Sequence, residues 1–339
     1  MNRLISRVGI TMGDYNGIGP EVTIKALKEL TESIQCQFVI IGSAMVYQSL
    51  QKLMHTDLQF EIVNSIDELE ESNDYICIYD PFKDFAIEVL FGELSSKSGH
   101  FAAESLIMGI DFARKGIVDA IVTSPINKKA FDLAGYSYPG QTEILAEKTG
   151  TANYAMMLIS EKIRVGLVTT HCAISEVSGK LSRQLVTEKI SIINQSLIQD
   201  FKIEKPVIAV TSLNPHSGED GLFGSEENRI ILPALEEMKE KGVDVHGPFS
   251  ADTLFARINR ACYDVYITMY HDQGLIPLKM YSFGKGVNFT AGLPIIRTSP
   301  DHGTAFDIAG QNNADSGSMK EAIRLAYELV QKRVARSSI

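Results

Sequence analysis

Three apolar runs in this chain each end in a histidine. RVGLVTT leads to His171, PVIAVTSLNP to His216 and DVYITMY to His271. Imidazole is a preferred ligand for Zn²⁺ and related ions, and three protein donors leave a coordination position open for a reacting group. A single His past a strand end is ordinarily a polar loop residue or a satisfied core group. Three in equivalent places admit a second reading, a catalytic divalent-metal site, if the strand ends meet. Spacing alone leaves both readings open. His55, His100 and His246 lack this context.

Two further stretches carry groups suited to anions. The segment Lys279–Arg297 holds Lys279, Lys285, Asn288 and Arg297 among several glycines. Lys offers a point charge and Arg a planar fork to phosphate or carboxylate. Scattered Lys usually marks a solvated loop. Arg297, beside Pro294, Ile295 and Ile296, has a more apolar setting that favours a functional role. The turn Gly140-Gln141-Thr142-Glu143 precedes a helix pattern, and it either offers Thr142 and backbone N–H groups to an anion or simply caps that helix. The glycine-rich turn Gly13–Glu21 (GDYNGIGPE) follows an apolar run and has Pro20 in the first turn of a helix. Its backbone N–H groups could face an anion. It is not GxGxxG, however, and the plainer reading is a tight strand-to-helix turn.

These residues need a frame. RVGITM, QFVIIG, YICIYD, DAIVTS and the three His-terminated runs read as short buried strands. Helix patterns alternate with them: PEVTIKALKEL, AAESLIMGIDFARKG, TEILAEKTG, LVTEKISIINQSLIQDF, EENRIILPALEEMKEKG and MKEAIRLAYELVQKRVARS. The rhythm predicts an α/β protein with a largely parallel, doubly covered sheet. In such sheets ligands meet the carboxyl ends of the strands, where the His residues fall. No linker or repeat divides the chain. The chain is expected to cross between lobes near Lys128–Pro139 and Ser282–Gly286, which places 1–130 plus 285–339 in one lobe and 131–284 in the other.

The 339 residues are 45% apolar and 22% charged, as in a globular protein. A net charge of −10 argues against a nucleic-acid partner. No run approaches the roughly 18 apolar residues of a membrane helix, and the N-terminus lacks a signal-peptide pattern. Both point to the cytoplasm. Cys36, Cys77, Cys172 and Cys262 stand singly, so no thiolate metal site or redox motif is expected, and core packing is the expected role of Cys36, Cys77 and Cys172.

Together, ITMGDYNGIGPEV, VTSPINK, PGQTEILA, TTHCAI, SLNPHSGEDGLFGSEE, GPFSADTLF, YHDQGLIPLK and GVNFTAGLPIIRTSPDHGTAFDIAG resemble the 4-hydroxythreonine-4-phosphate dehydrogenase family of vitamin B6 biosynthesis. The resemblance covers nearly the whole chain. The first stretch and Asp301–Gly310 are also similar to GDGIGPEV and HGSAPDIAG of the isopropylmalate and isocitrate dehydrogenases. The implied fold is their two-lobed α/β/α architecture, with an active site in the cleft between lobes and a nicotinamide cofactor bound without a Rossmann fingerprint. The resemblance implies that Asp301, His302, Gly303, Thr304 and Ala305 meet the adenosine end of NAD or NADP. It implies His171, His216 and His271 as ligands of one divalent ion such as Zn, Mg or Co. Gln141, Thr142, Lys279, Asn288 and Arg297 are the implied substrate contacts. Family members form homodimers with the active site at the subunit interface, so His271 can complete the partner's metal site. The chain departs from the family's GHTE turn: Gln141 stands where His is usual, and Gln carries no titrating proton.

The implied reaction is oxidation of 4-phosphooxy-L-threonine, followed by loss of CO₂ to give 3-amino-2-oxopropyl phosphate. Asp252 and Asp272 are candidates for the general base or for orienting a His ligand, with Asp252 slightly favoured. Gln141 keeps a second reading in view, a dehydrogenase of 4-phosphoerythronate or 4-phosphothreonate. A non-catalytic protein binding phosphorylated metabolites ranks lower, since all three His are present.

Overall fold

The structure is a computed structural model that describes residues 5–71, 76–258 and 263–334. Cys262 and the predicted C-terminal helix past Val334 lie outside the described residues. The chain divides into two compact units, Met1–Ala152 with Leu293–Ile339, and Asn153–Gly292.

The first unit carries a parallel sheet of β1 (Arg7–Thr11), β2 (Gln37–Ile41), β3 (Glu61–Val63), β4 (Ile76–Tyr79), β5 (Ala120–Thr123) and β12 (Ile296–Pro300), in the order β3-β4-β2-β1-β5-β12. Every pairing described within it is parallel. A parallel strand needs a long crossover, and helices supply it: α1 (Gly19–Leu30), α2 (Ala44–Met54) and α4 (Ser96–Arg114), while α12 (Gly317–Val334) follows the last strand. Val39, Ile41, Cys77 and Ile121 pack in one cluster with Ala102, Leu106 and Ile110 of α4. Strand alternation sends Phe38, Ile40, Ile78 and Val122 to the opposite face, where they too are buried. Burial on both faces is why these strands read as unbroken apolar runs. Ser95 caps α4 by accepting from the Lys97 and Ser98 N–H groups. Truncating Leu106 to Ala in this core costs about 2–5 kcal/mol.

The second unit's strands are β6 (Ala155–Ile159), β7 (Arg164–Leu167), β8 (Val207–Thr211), β9 (Asp244–Phe249), β10 (Val265–Thr268) and β11 (Val287–Ala291), ordered β11-β6-β7-β10-β8-β9. Here the largely parallel pattern is interrupted: β6 runs antiparallel to both β11 and β7. The short Ser160–Ile163 turn joining β6 to β7 is too brief for a crossover, so the pair must form a hairpin. β6 (AMMLI) lacks β-branched residues over most of its length and escapes a sequence reading. EENRIILPALEEMKEKG begins with a π-helical turn, Glu227–Ile231, and continues as α9 (Leu232–Glu240). Pro233 near the start of α9 has no N–H to continue a regular ladder.

The unit boundaries correct the expected crossings at 130/131 and 284/285. α6 (Gln141–Thr149) buries Ile144 and Leu145 in the α4 cluster, which keeps 131–152 in the first unit. β11 pairs with β6 as far as Ala291, which keeps the chain in the second unit up to Gly292.

Candidate active site

In the first unit β5 and β12 lie side by side, with Arg297 in register with Ile121. Arg297 is only 3% exposed. Its Nε and Nη2 donate to Thr123 Oγ1 at 3.0 and 2.7 Å, and Nη2 also donates to Gln141 Oε1 at 2.9 Å. Gln141 Nε2 in turn donates to the Ser124 carbonyl at 2.7 Å. Burial pulls the guanidinium down to about 10, opposed by the field of Glu143. It is therefore still charged at neutral pH. Gly140 of this turn is the N-cap of α6, with no side-chain capping hydrogen bond. Gln141 and Thr142 form the first turn of that helix.

The Asp301–Ala305 loop follows β12. Asp301 N–H donates to Ser318 Oγ at 2.9 Å, and Ile18 N–H donates to the Thr304 carbonyl at 2.9 Å. A side chain at Gly17 would come within 2.8 Å of Thr304, so this approach requires glycine. Ala305 has φ +40, a strained value for a residue with a Cβ. His302 Nδ1 lies 3.0 Å from the Gly303 carbonyl, while Nε2 is buried without a partner. An orphaned buried ring nitrogen suits a ligand contact.

The turn after β1 buttresses this loop and offers no anion cradle. The N–H groups of Asp14, Asn16, Gly17 and Ile18 are already bonded to Pro125 O, Asp14 Oδ1, Asp14 O and Thr304 O. Asp14 itself is fully buried, with Oδ2 lacking a hydrogen bond. Burial pushes its carboxyl up to about 6, partly offset by the Asn16 N–H and the Ser98 hydroxyl. The sequence reading treated this turn as one piece and did not single out Asp14.

In the second unit the ends of β7 and β10 are tied together. Val168 N–H donates to Thr268 O at 2.9 Å, and Thr169 Oγ1 donates to Met269 O at 2.7 Å. This brings the His171 and His271 rings to 6.1 Å between centroids. Both line a cavity of about 510 Å³ with Thr170, Cys172, Tyr270 and Asp272. Two imidazoles bound to one ion at about 2 Å place their ring centres roughly 5 Å apart in tetrahedral geometry, so the two rings are neighbours wider apart than ligands of one shared ion. His271 opens α11 (His271–Ser282), a helix not anticipated from sequence. Its Nδ1 lies 2.7 Å from Asp272 Oδ1, the arrangement that orients a ligating imidazole.

His216 sits in a 3₁₀ turn, Pro215–Gly221, in which His216, Ser217, Glu219 and Asp220 all have positive φ. Such backbone persists only if over-determined, and Glu227 supplies that. Glu227 is buried and accepts from Leu213 N–H at 2.9 Å, Asn214 N–H at 2.8 Å and Asn214 Nδ2 at 2.9 Å. Gln273 spans the ends of β8 and β10. Its Oε1 accepts from Thr211 Oγ1 and Met269 N–H, and its Nε2 donates to Ser212 O. Neither Glu227 nor Gln273 was marked by the sequence, since each acts on backbone and on loops distant in the chain.

Among the described residues, no set of three or more His, Cys, Asp or Glu stands where it would jointly hold an ion. Within one chain, His171 and His271 line one cavity and His216 is not among its lining residues. Asp252 is exposed, and the Ser250 hydroxyl, with the field of His216 among lesser causes, holds its carboxyl below the usual range. A carboxylate so stabilised is a weak proton acceptor. Lys279 is exposed on α11 and Asn288 lies on β11, with Asn288 Oδ1 buried and unpartnered. Lys285 is exposed. Cys36 and Cys77 are core residues, but Cys172 is half-buried and lines the cavity.

Comparison with known proteins places this architecture. An isocitrate dehydrogenase from Methylococcus capsulatus superposes with a TM-score of 0.50 at 13% identity, over 98% of this chain and 88% of that one. That likeness shows the fold, which is of the isocitrate and isopropylmalate dehydrogenase type. Nearer relatives make the chain a dehydrogenase. It is 40% identical to a 4-hydroxythreonine-4-phosphate dehydrogenase of Bacteroides thetaiotaomicron, over 96% of this chain and 89% of that protein. It is 42% identical to a D-threonate 4-phosphate dehydrogenase of Salmonella typhimurium, over 95% and 98%. The crystal structure of a 4-hydroxythreonine-4-phosphate dehydrogenase from Klebsiella pneumoniae matches with a TM-score of 0.85 at 39% identity, covering 96% of this chain and 100% of that one. The family model for the pyridoxal phosphate biosynthetic protein PdxA matches residues 34–326, and the chain belongs to that family.

Proposed function

We propose that this enzyme oxidises the 3-hydroxyl of 4-phosphooxy-L-threonine with NAD⁺ or NADP⁺ in the cytoplasm. The product, 2-amino-3-oxo-4-phosphooxybutanoate, loses CO₂ to give 3-amino-2-oxopropyl phosphate, a step toward pyridoxine 5'-phosphate. The observation that carries this reading is the chain-long likeness to dehydrogenases named for phosphorylated threonine and threonate.

The residues present suit the reaction. Arg297, a buried cation, with Thr142, Lys279 and Asn288, would hold the carboxylate and phosphate of the substrate. The orphaned Asn288 Oδ1 and His302 Nε2 are atoms that substrate and cofactor would satisfy. Asp301, His302, Gly303, Thr304 and Ala305 are the proposed cofactor contacts. Holding C3–H against the nicotinamide makes hydride transfer effectively intramolecular. The hydride leaves readily only as the hydroxyl gives up its proton. A divalent ion, with Zn, Mg and Co as candidates, would supply a Lewis acid beside that hydroxyl, and His171, His216 and His271 are its proposed ligands. Asp272 would orient His271. The lowered pKa of Asp252 supports an electrostatic role beside His216 over that of general base.

We infer a homodimer in which His271 completes the partner's site, because the His171 and His271 rings of one chain stand wider apart than two ligands of one ion and no set of three forms among the described residues. Ile276, Met280 and Phe283, spaced along α11 from His271 and 59%, 69% and 82% exposed, offer an apolar stripe for the second copy.

A second reading, oxidation of D-threonate 4-phosphate or 4-phosphoerythronate, is favoured by Gln141, whose amide is bonded at both ends and carries no titrating proton. Product analysis with 4-phosphooxy-L-threonine and D-threonate 4-phosphate, each with NAD⁺ and NADP⁺ and added metal, separates the two. Faster turnover of the first, with CO₂ release, is expected. Turnover of the second alone selects the alternative. Failure with both would leave a phosphometabolite-binding protein.

A further inference from the structure

We propose that Thr123 is a positioning residue for substrate binding, acting with Gln141 to fix the plane of the Arg297 guanidinium. The inference rests on the reading above that Arg297 holds an anionic group of the substrate. Thr123 is fully buried at the carboxyl end of β5. Two N–H groups on one edge of the guanidinium, from Nε and Nη2, converge on its hydroxyl oxygen at 3.0 and 2.7 Å. That fork sets both the rotation and the tilt of the group. The Gln141 carbonyl oxygen takes a second bond from Nη2.

Neither acceptor drifts. Thr123 belongs to a strand paired on both sides, with β1 and with β12. The next residue, Ser124, is held twice, its N–H donating to Thr11 Oγ1 at 3.2 Å and its carbonyl accepting from Gln141 Nε2 at 2.7 Å. The amide therefore cannot turn over without placing its NH₂ against the guanidinium and its oxygen against a carbonyl. One strand end thus anchors both arms of the clamp. Both acceptors are neutral, so they orient Arg297 without cancelling its charge; a carboxylate at position 123 would do both. A long side chain fixed before the substrate arrives loses less entropy on binding it.

The test compares Thr123→Val, which keeps the strand-favouring shape and removes the acceptor, with Thr123→Ser, which keeps the acceptor. Steady-state kinetics on the intact enzyme would use whichever of 4-phosphooxy-L-threonine and D-threonate 4-phosphate it turns over. Thr123→Val is expected to raise the substrate KM about tenfold or more, the range for losing a hydrogen bond to a charged group. The kcat should fall less, and the KM for the nicotinamide cofactor should stay put. Thr123→Ser should bring the substrate KM back to within a few-fold of wild type. A wild-type KM in Thr123→Val, equal rises in both KM values, or no rescue by Ser would overturn the proposal. Should Thr123→Val fail to fold, Gln141→Met removes the other arm at a half-buried helix start, and an unchanged substrate KM there overturns it equally. Arg297→Lys separates the two levels of the argument. If its substrate KM is that of wild type, the assignment of Arg297 to the substrate falls and takes the clamp with it. If Arg297→Lys raises KM and Thr123→Val does not, only the clamp falls.

Discussion

Two buried ionisable residues of the first unit answer burial in opposite ways. Arg297 keeps its charge because its acceptors are close and its starting pKa is high. Asp14 has one oxygen without a hydrogen bond, and its carboxyl rises to about 6 from 3.8. The folded chain therefore holds the Asp14 proton more tightly than the unfolded chain does. Between pH 4 and 6 this group makes stability fall as pH rises, and above that window the loss is complete at about 3 kcal/mol. Asp14→Asn removes the titration. Its urea midpoint relative to wild type should thus climb from pH 4 to pH 7, and a constant difference across that range would count against a buried neutral carboxyl. At the same scale, GDYNGIGP reads from sequence as a turn and is one. That Asp14 is buried with an unsatisfied oxygen depends on Asn16, Ser98 and Pro125 closing over it, which no local pattern encodes.

At the scale of elements, the His residues are placed by the ends of β7, β8 and β10 and by groups that brace them. Glu227 holds the strained turn of His216 through three accepted hydrogen bonds. Glu227→Gln would set an NH₂ against the Asn214 amide. The variant should lose about 1–3 kcal/mol of stability and bind Zn²⁺ some tenfold or more weaker, readable by thermal melts and by metal titration. Unchanged metal affinity would remove Glu227 from the site's support. Gln273→Leu cuts three bonds joining β8 to β10 and should lower metal affinity in the same assay. The strands that bear the His residues were legible because burial on both faces leaves an unbroken Val- and Ile-rich run. β6, β11 and β12 were less so, since they carry Met, Asn or Arg at buried or half-buried positions. α11 was hidden by Gly274 and Pro277, which weaken a helical pattern that the packing of Leu275 and Leu278 restores.

At the scale of the whole molecule, the proposal is that a second copy completes the metal site. Mixing inactive His171→Ala and His271→Ala chains and allowing exchange would test this directly. If His271 serves the partner's site, a mixed dimer has one intact ligand set, and activity should return to about a quarter of wild type under random pairing. No recovery would mean that each chain builds its own site. Met280→Glu on the exposed stripe should shift the protein toward monomer in light scattering and make activity depend on concentration.

Read alone, the chain determined the α/β class, the strands that carry the three His residues and, through its motifs, the phosphorylated hydroxy acid expected as substrate. These follow from local periodicity and from residues lying close in sequence, where burial and turn chemistry leave their mark. The tertiary structure decided that β6 reverses the second sheet, that α6 and β11 shift the unit boundaries, and that His171 and His271 line one cavity without forming a ligand pair by themselves. It also decided that Thr123, Gln141 and Arg297 meet. Those residues are far apart in the chain, and only the parallel pairing of β5 with β12 and the docking of α6 bring their hydrogen-bonding groups within reach.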